Sequence, residues 1–158
     1  MRNLLPLLAL ALVPAAAAAQ PPAPAAAEAP IIAEAREFMR RYGEDLVMGN
    51  RAAIAGRYDP AGAWHVGPAR VELESWDQIN RRYRGRWAPP SSFEWRDLAY
   101  EALGPDSVLV VGGFRWWPQK KADRPPLDYS YTAVLVRRDG ALKIRLENEA
   151  TAAPRDRR

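Results

Sequence analysis

The chain of 158 residues contains no cysteine and one histidine, His65. The first absence excludes disulfides, thiolate nucleophiles and cysteine-bound metals, and the second excludes most zinc sites, which need several Cys or His ligands. No apolar run reaches the roughly 20 residues that a membrane span requires, so no stable insertion in a bilayer is expected. Excess charge of one sign is also missing. Lys and Arg number 23 against 19 Asp and Glu, a net +4, with the two signs interspersed. That pattern reads as a solvated surface, not a nucleic-acid face. No phosphate-binding loop, dinucleotide fingerprint, nucleophile elbow or metal motif occurs, so no cofactor and no metal are expected.

What is present suits one domain with a substantial core, at 48% hydrophobic residues. The start is a targeting segment: Arg2 gives a positive end, Leu4 to Val13 an apolar run, and Ala15 to Ala19 small residues for cleavage after Ala19. Residues 1–19 are therefore expected to be a signal peptide, and the mature protein periplasmic or secreted from a bacterium. Residues 20–30 are nearly all Ala and Pro and read as a linker. The folded domain is expected over 31–151, with a short basic tail at 152–158.

Ile31 to Met48 has helical spacing, with Ile31, Ile32, Ala35, Phe38, Met39, Tyr42 and Leu46 on one face. Gly49 stops it and Asn50 caps a second helix reaching Tyr58. Ala63–Val66 and Arg70–Leu73 read as a strand pair, and Ser75 with Gln78 forms a capping box for a third helix. On that helix Trp76, Ile79, Asn80, Tyr83 and Trp87 make the inward stripe. Arg81, Arg82, Arg84 and Arg86 are assigned to a solvated face. Four strands follow: Phe93–Ala102, Ser107–Trp117, Leu127–Arg138 and Ala141–Ala150, the last two joined by the hairpin signal Asp139-Gly140. Helices apart from an antiparallel meander imply an α+β domain.

Three groups of residues carry a resemblance. They are Met39-Arg40-Arg41-Tyr42 with Gly49-Asn50, Ala53-Ile54 and Tyr58-Asp59; Gly104-Pro105-Asp106-Ser107-Val108-Leu109-Val110-Val111-Gly112; and Arg138-Asp139-Gly140-Ala141-Leu142-Lys143-Ile144. Over Ile31 to Thr151 the chain resembles SnoaL-like domains of the nuclear transport factor 2-like superfamily, which includes ketosteroid isomerase. The resemblance implies a curved antiparallel sheet wrapped around a long N-terminal helix, a cystatin-like cone with a pocket at its open end. It specifies the fold better than the function, because isomerases, hydrolases, cyclases and binding domains share it. Residue by residue, the isomerase's oxyanion-binding tyrosine matches Tyr42. Its aspartate base falls on Val66 beside His65, and its neutral acid falls near Thr132. With one of three positions filled, ketosteroid isomerisation is not expected.

The remaining candidates for chemistry are Tyr42, His65 and Glu147. Adjacent strand residues face opposite ways, so Trp64 and His65 line the pocket together only if a bulge intervenes. On the last strand composition places Leu142, Ile144, Leu146 and Asn148 inward and Arg145, Glu147 and Glu149 outward; a slip of one would send Glu147 into the pocket instead. Six Trp and six Tyr suit a pocket walled by rings, with Tyr42, Trp64, Trp95, Trp116 and Asn148 as ligand-binding candidates. Of the pair Trp116-Trp117, one points away from the core, and the loop Gln119 to Pro126 forms the expected mobile rim. Three functions are compatible with these features. The first is an exported domain binding a small apolar or aromatic molecule. The second is a small isomerase, lyase or hydrolase using Tyr42 with His65 or Glu147. The third is a homodimeric assembly module pairing through outer-face charges.

Overall fold

The computed structural model describes residues 29–67, 70–85, 87–118 and 125–151. The expected signal peptide, the basic tail, most of the linker and positions 119–124 of the rim lie outside the described residues. Helix α1, Pro30–Met48, opens on a proline, whose missing N–H costs nothing in the first turn. It closes at Gly49 in the left-handed conformation, φ 68°, where the Gly49 and Asn50 amides return to Leu46 and Asp45 carbonyls. Its buried stripe holds Ile31, Ile32, Ala35, Met39, Tyr42 and Leu46. Phe38 stays at its margin beneath the Arg57 guanidinium, 5.2 Å from the ring centroid. Helix α2, Arg51–Gly56, is capped by the Asn50 side chain and ends two residues before Tyr58. Helix α3, Trp76–Arg84, has the full capping box of Ser75 and Gln78. No described helix is long and apolar enough to cross a membrane.

The strands are β1 (Ala63–Gly67), β2 (Arg70–Glu74), β3 (Pro90–Gly104), β4 (Ser107–Pro118), β5 (Leu127–Arg138) and β6 (Ala141–Thr151). They form one sheet in the order β2-β1-β6-β5-β4-β3, antiparallel except for β1 beside β6. Asp139 and Gly140, at φ 48° and 80°, make the tight β5–β6 turn. The architecture is thus α+β, with a long N-terminal helix on a curved, unclosed six-stranded sheet.

Two of the register shifts in the sheet bear on the site. In the β3–β4 ribbon the register shifts between Arg96 and Ala99, opposite Gly112. A Cβ at Gly112 would come within 2.8 Å of the Arg96 carbonyl oxygen, so only glycine permits this bend around α1. The second bulge is at Arg145, between the Leu135–Ile144 and Val134–Leu146 pairs. It sits where the free edge of β6 changes partner. Ile144 exchanges backbone hydrogen bonds with Arg57 and Asp59, whereas Leu146 to Asn148 pair with β1. Arg145 fills the gap and donates from Nη1 to the Gly62 carbonyl at 2.5 Å.

That one extra residue overturns the simple alternation expected of the last strand. Leu142 and Ile144 face the core as expected, but past Arg145 the parity reverses. Glu147, 2% exposed, and Glu149 turn inward opposite Ala133 and Tyr131. Leu146 and Asn148 turn outward, opposite Val134 and Thr132. The charged outer face expected for dimerisation therefore does not exist in that form, since Glu147 and Glu149 are inside. The outer face near β1 instead exposes Trp64, Val71 and Leu73.

Candidate functional site

Between α1, α3 and the concave face of the sheet lies a cavity of about 250 Å³. Its floor is built around Glu147, on which four tyrosines from four parts of the chain converge. Tyr42 of α1 and Tyr131 of β5 donate to Glu147 Oε1 at 3.2 and 3.1 Å. Tyr58, between α2 and β1, donates to Oε2 at 2.6 Å. Tyr83 of α3 stands 2.7 Å from the Tyr58 hydroxyl. Because the Tyr58 proton is committed to Glu147, Tyr83 is the donor in that contact. The Tyr42 and Tyr58 oxygens are 3.0 Å apart. Burial, and then the charge of Glu147, push the Tyr42, Tyr58 and Tyr131 hydroxyls well above the ordinary tyrosine range. They act as neutral donors.

His65 is the register partner of Glu147 across the β1–β6 ladder, and it lines the cavity. Arg82 Nη1 lies 3.4 Å from His65 Nδ1. The same guanidinium stacks over Tyr83, 4.9 Å from its centroid, and Arg82 Nη2 is 3.2 Å from Glu74 Oε2, an ion pair without hydrogen-bond alignment. Arg82 therefore belongs to the cavity, not to the solvated helix face expected for it. Glu149 completes the polar lining. Its carboxyl is pushed up to about 8 by burial and by the Glu147 charge, against an opposing pull from Arg82.

The walls are rings. Trp87, Phe93, Trp95, Phe114, Trp116 and Tyr129 line the cavity above the floor. They lock one another edge to face: Phe93 against Trp95 at 4.7 Å, Trp87 against Trp116 at 6.4 Å. Phe114 and Tyr129 stack at 4.7 Å and 13°. Trp95 is further anchored by its Nε1, which donates to the Met39 carbonyl at 2.8 Å.

Of the residues singled out from sequence, the structure brings together Tyr42, His65, Glu147, Trp95 and Trp116 at this cavity. It leaves out Trp64, which is 40% exposed on the opposite face of β1, and Asn148, which faces outward with Thr132. Trp64 is excluded because β1 has no bulge at that point, and Asn148 because β6 has one just before it. Trp116 takes the inward side of its pair, while Trp117 shares the other face with Arg115, 5.9 Å from its ring. Sequence reasoning missed Tyr58, Arg82, Tyr131 and Glu149 as site residues. Tyr83 and Trp87 were on the inward stripe expected for the third helix, which was the available signal, although α3 ends at Arg84 before Trp87 and leaves Trp76 of that stripe 38% exposed. Among the described residues, no group of three or more Asp, Glu or His could hold a metal ion.

No protein-family model and no curated protein matches the chain by sequence. Solved structures do match in shape. A nuclear transport factor 2-like protein of unknown function from Shewanella oneidensis superimposes with a TM-score of 0.65 at 13% identity, over 76% of this chain and 98% of that one. A cystatin-like fold protein from Burkholderia xenovorans gives 0.64 at 19% identity, over 80% and 95%. A ketosteroid isomerase-like protein from Erwinia carotovora atroseptica gives 0.60 at 13% identity, over 79% and 98%. At these identities the likeness is one of fold, and the chain has the nuclear transport factor 2-like, cystatin-like cone fold.

Proposed function

We propose that the protein is a binding domain for a small apolar or aromatic molecule, gripped by the ring walls and oriented by the polar floor. One observation carries this reading: six aromatic side chains stand over a single buried carboxylate cluster around about 250 Å³ of space. A concave, mostly apolar site with a few convergent polar groups is the usual form of a small-molecule site. Its volume suits one substituted ring, since a cavity of roughly 150 Å³ already accepts benzene. We extend the proposal to location, with residues 1–19 acting as a leader that takes the protein to the periplasm or the medium. Protein exported by its own leader should start at Gln20 and carry a small aromatic compound, both read by native mass spectrometry. Retention of Met1 to Ala19 would contradict export. Repeated purification with an empty cavity, and no uptake from an aromatic library, would contradict binding.

A second reading is favoured by one contact, Tyr42 hydroxyl to Glu147 at 3.2 Å with His65 alongside. A donor, a carboxylate and an imidazole on one cavity floor are the parts of acid–base isomerisation or elimination. One structure of the same fold is named ketosteroid isomerase-like. Turnover of a co-purified compound that is abolished by Glu147→Gln, with binding retained, would replace the binding reading with this one.

A further inference from the structure

We propose that the occupant of the cavity is an organic cation, an ammonium or amidinium head on a compact apolar body, held between the aromatic walls and the Glu147–Glu149 pair. The inference rests on the small-molecule reading above and names the chemical class that this site takes.

Hydrogen-bond accounting comes first. Each tyrosine hydroxyl has one proton to give. Those of Tyr42, Tyr58 and Tyr131 go to Glu147, and that of Tyr83 goes to Tyr58. Toward the cavity the floor therefore presents lone pairs and a carboxylate, a surface that asks its ligand for donors. Glu149 lines the same cavity and makes no hydrogen bond or ion pair within the described residues. Half-buried at the cavity, its carboxyl is open to a donor that a ligand supplies.

Charge gives the second argument. The groups facing Glu149 and Glu147 are His65 from β1, Arg82 and Tyr83 from α3, Tyr129 and Tyr131 from β5, Tyr42 from α1 and Tyr58. Only Arg82 among them is a fixed cation. Glu74 of β2 stands 3.2 Å from the Arg82 Nη2 and the flat face of the guanidinium lies over Tyr83, while Arg82 Nε and Nη2 have no hydrogen-bond acceptor. Glu147 and Glu149 are thus left without a dedicated counter-charge. The walls add to this, because ring faces attract a cation and repel an anion.

The site should also sense pH. Glu149 is neutral below about 8 and gains its charge above it. A cation bound beside it gains attraction as pH rises through that value, and at neutral pH binding drives a proton off Glu149.

Phenyltrimethylammonium, whose charge is independent of pH, is the probe, with benzyl alcohol and benzoate as neutral and anionic counterparts. Titration calorimetry on the full chain at pH 7 and 9 should show the cation bound about tenfold or more tighter than benzyl alcohol, and benzoate weakest. Affinity for the cation should rise from pH 7 to 9, and at pH 7 its heat should vary with buffer ionisation enthalpy. Glu149→Gln should abolish both effects. Equal affinity for cation and alcohol would overturn the cation while leaving the binding function intact, as would benzoate binding tightest through Arg82. Failure of all three probes would overturn the binding function, and this inference with it.

Discussion

Removing the Tyr58 hydroxyl should cost more stability than removing any other hydroxyl of the floor. Tyr58→Phe keeps the ring, so its packing against Tyr83 at 5.8 Å survives. Two hydrogen bonds disappear. One is the 2.6 Å bond to Glu147 Oε2, a charge-assisted bond for which about 1.5–3 kcal/mol is ordinary. The other is the acceptor for Tyr83, whose buried O–H then has no partner, at a further cost of about 1–3 kcal/mol. The total, roughly 2.5–6 kcal/mol, is a large part of the 5–15 kcal/mol that holds a typical domain together. Tyr42→Phe should cost less, about 1–2 kcal/mol, because its bond is longer and Tyr131 still serves the same oxygen. Urea unfolding at pH 7 measures both. The double variant Tyr58→Phe, Tyr83→Phe should be no less stable than Tyr58→Phe alone, since the second change deletes the orphaned proton. Equal costs below about 0.5 kcal/mol for Tyr58→Phe and Tyr42→Phe, or simple additivity with Tyr83→Phe, would refute the donor chain.

Other outcomes follow from the same geometry. Burial and the Glu147 charge raise the Glu149 carboxyl from 4.5 to about 8 in the fold, so it favours folding below 4.5 and withdraws that contribution as pH climbs to 8. Glu149→Gln should therefore raise the melting temperature at pH 8.5 and change it little at pH 4.5; an equal effect at both values would contradict the buried, Glu147-facing carboxyl. Deleting Arg145 removes the unpaired residue, and strict alternation then keeps Ile144 and Glu147 on the same inward face, so the domain should fold with Glu147 still caged and lose only the contact to Gly62; an unfolded domain would show that the bulge itself is required. The outer patch of Trp64, Val71 and Leu73 should pair two copies in a contact that resists salt, and Trp64→Glu should give a monomer by sedimentation. A wild-type monomer at high micromolar concentration would remove that pairing.

The fold was largely legible because its signals are local. The three- and four-residue steps of α1, the Ser75–Gln78 box and the Asp139-Gly140 turn each specify an element without its neighbours. The facing of β6 was legible only up to Ile144. Beyond it the outcome depends on which strand pairs with the β6 edge, and that junction is made by Arg57, Asp59 and β1, far away in sequence. Leu146 looks like a core residue and Glu147 like a surface one by composition, yet a single unpaired Arg145 exchanges them. Arg82 escaped for a related reason. Among neighbouring arginines it has no distinguishing context, and only the approach of Glu74 and His65 selects it for the interior. Tyr42 and the wall residues Trp95 and Trp116 emerged from sequence because large rings on apolar stripes have few places to go.

The central claim, that the ring-walled cavity is where this protein meets its ligand, is tested most directly by the six tryptophan indoles as separate reporters in ¹⁵N NMR. Titration with benzyl alcohol should shift the Nε1–H signals of Trp87, Trp95 and Trp116, which line the cavity, and leave those of the exposed Trp64 and Trp76 in place. Shifts at Trp64 and Trp76 with the cavity indoles unmoved would put binding on the outer surface and contradict the account.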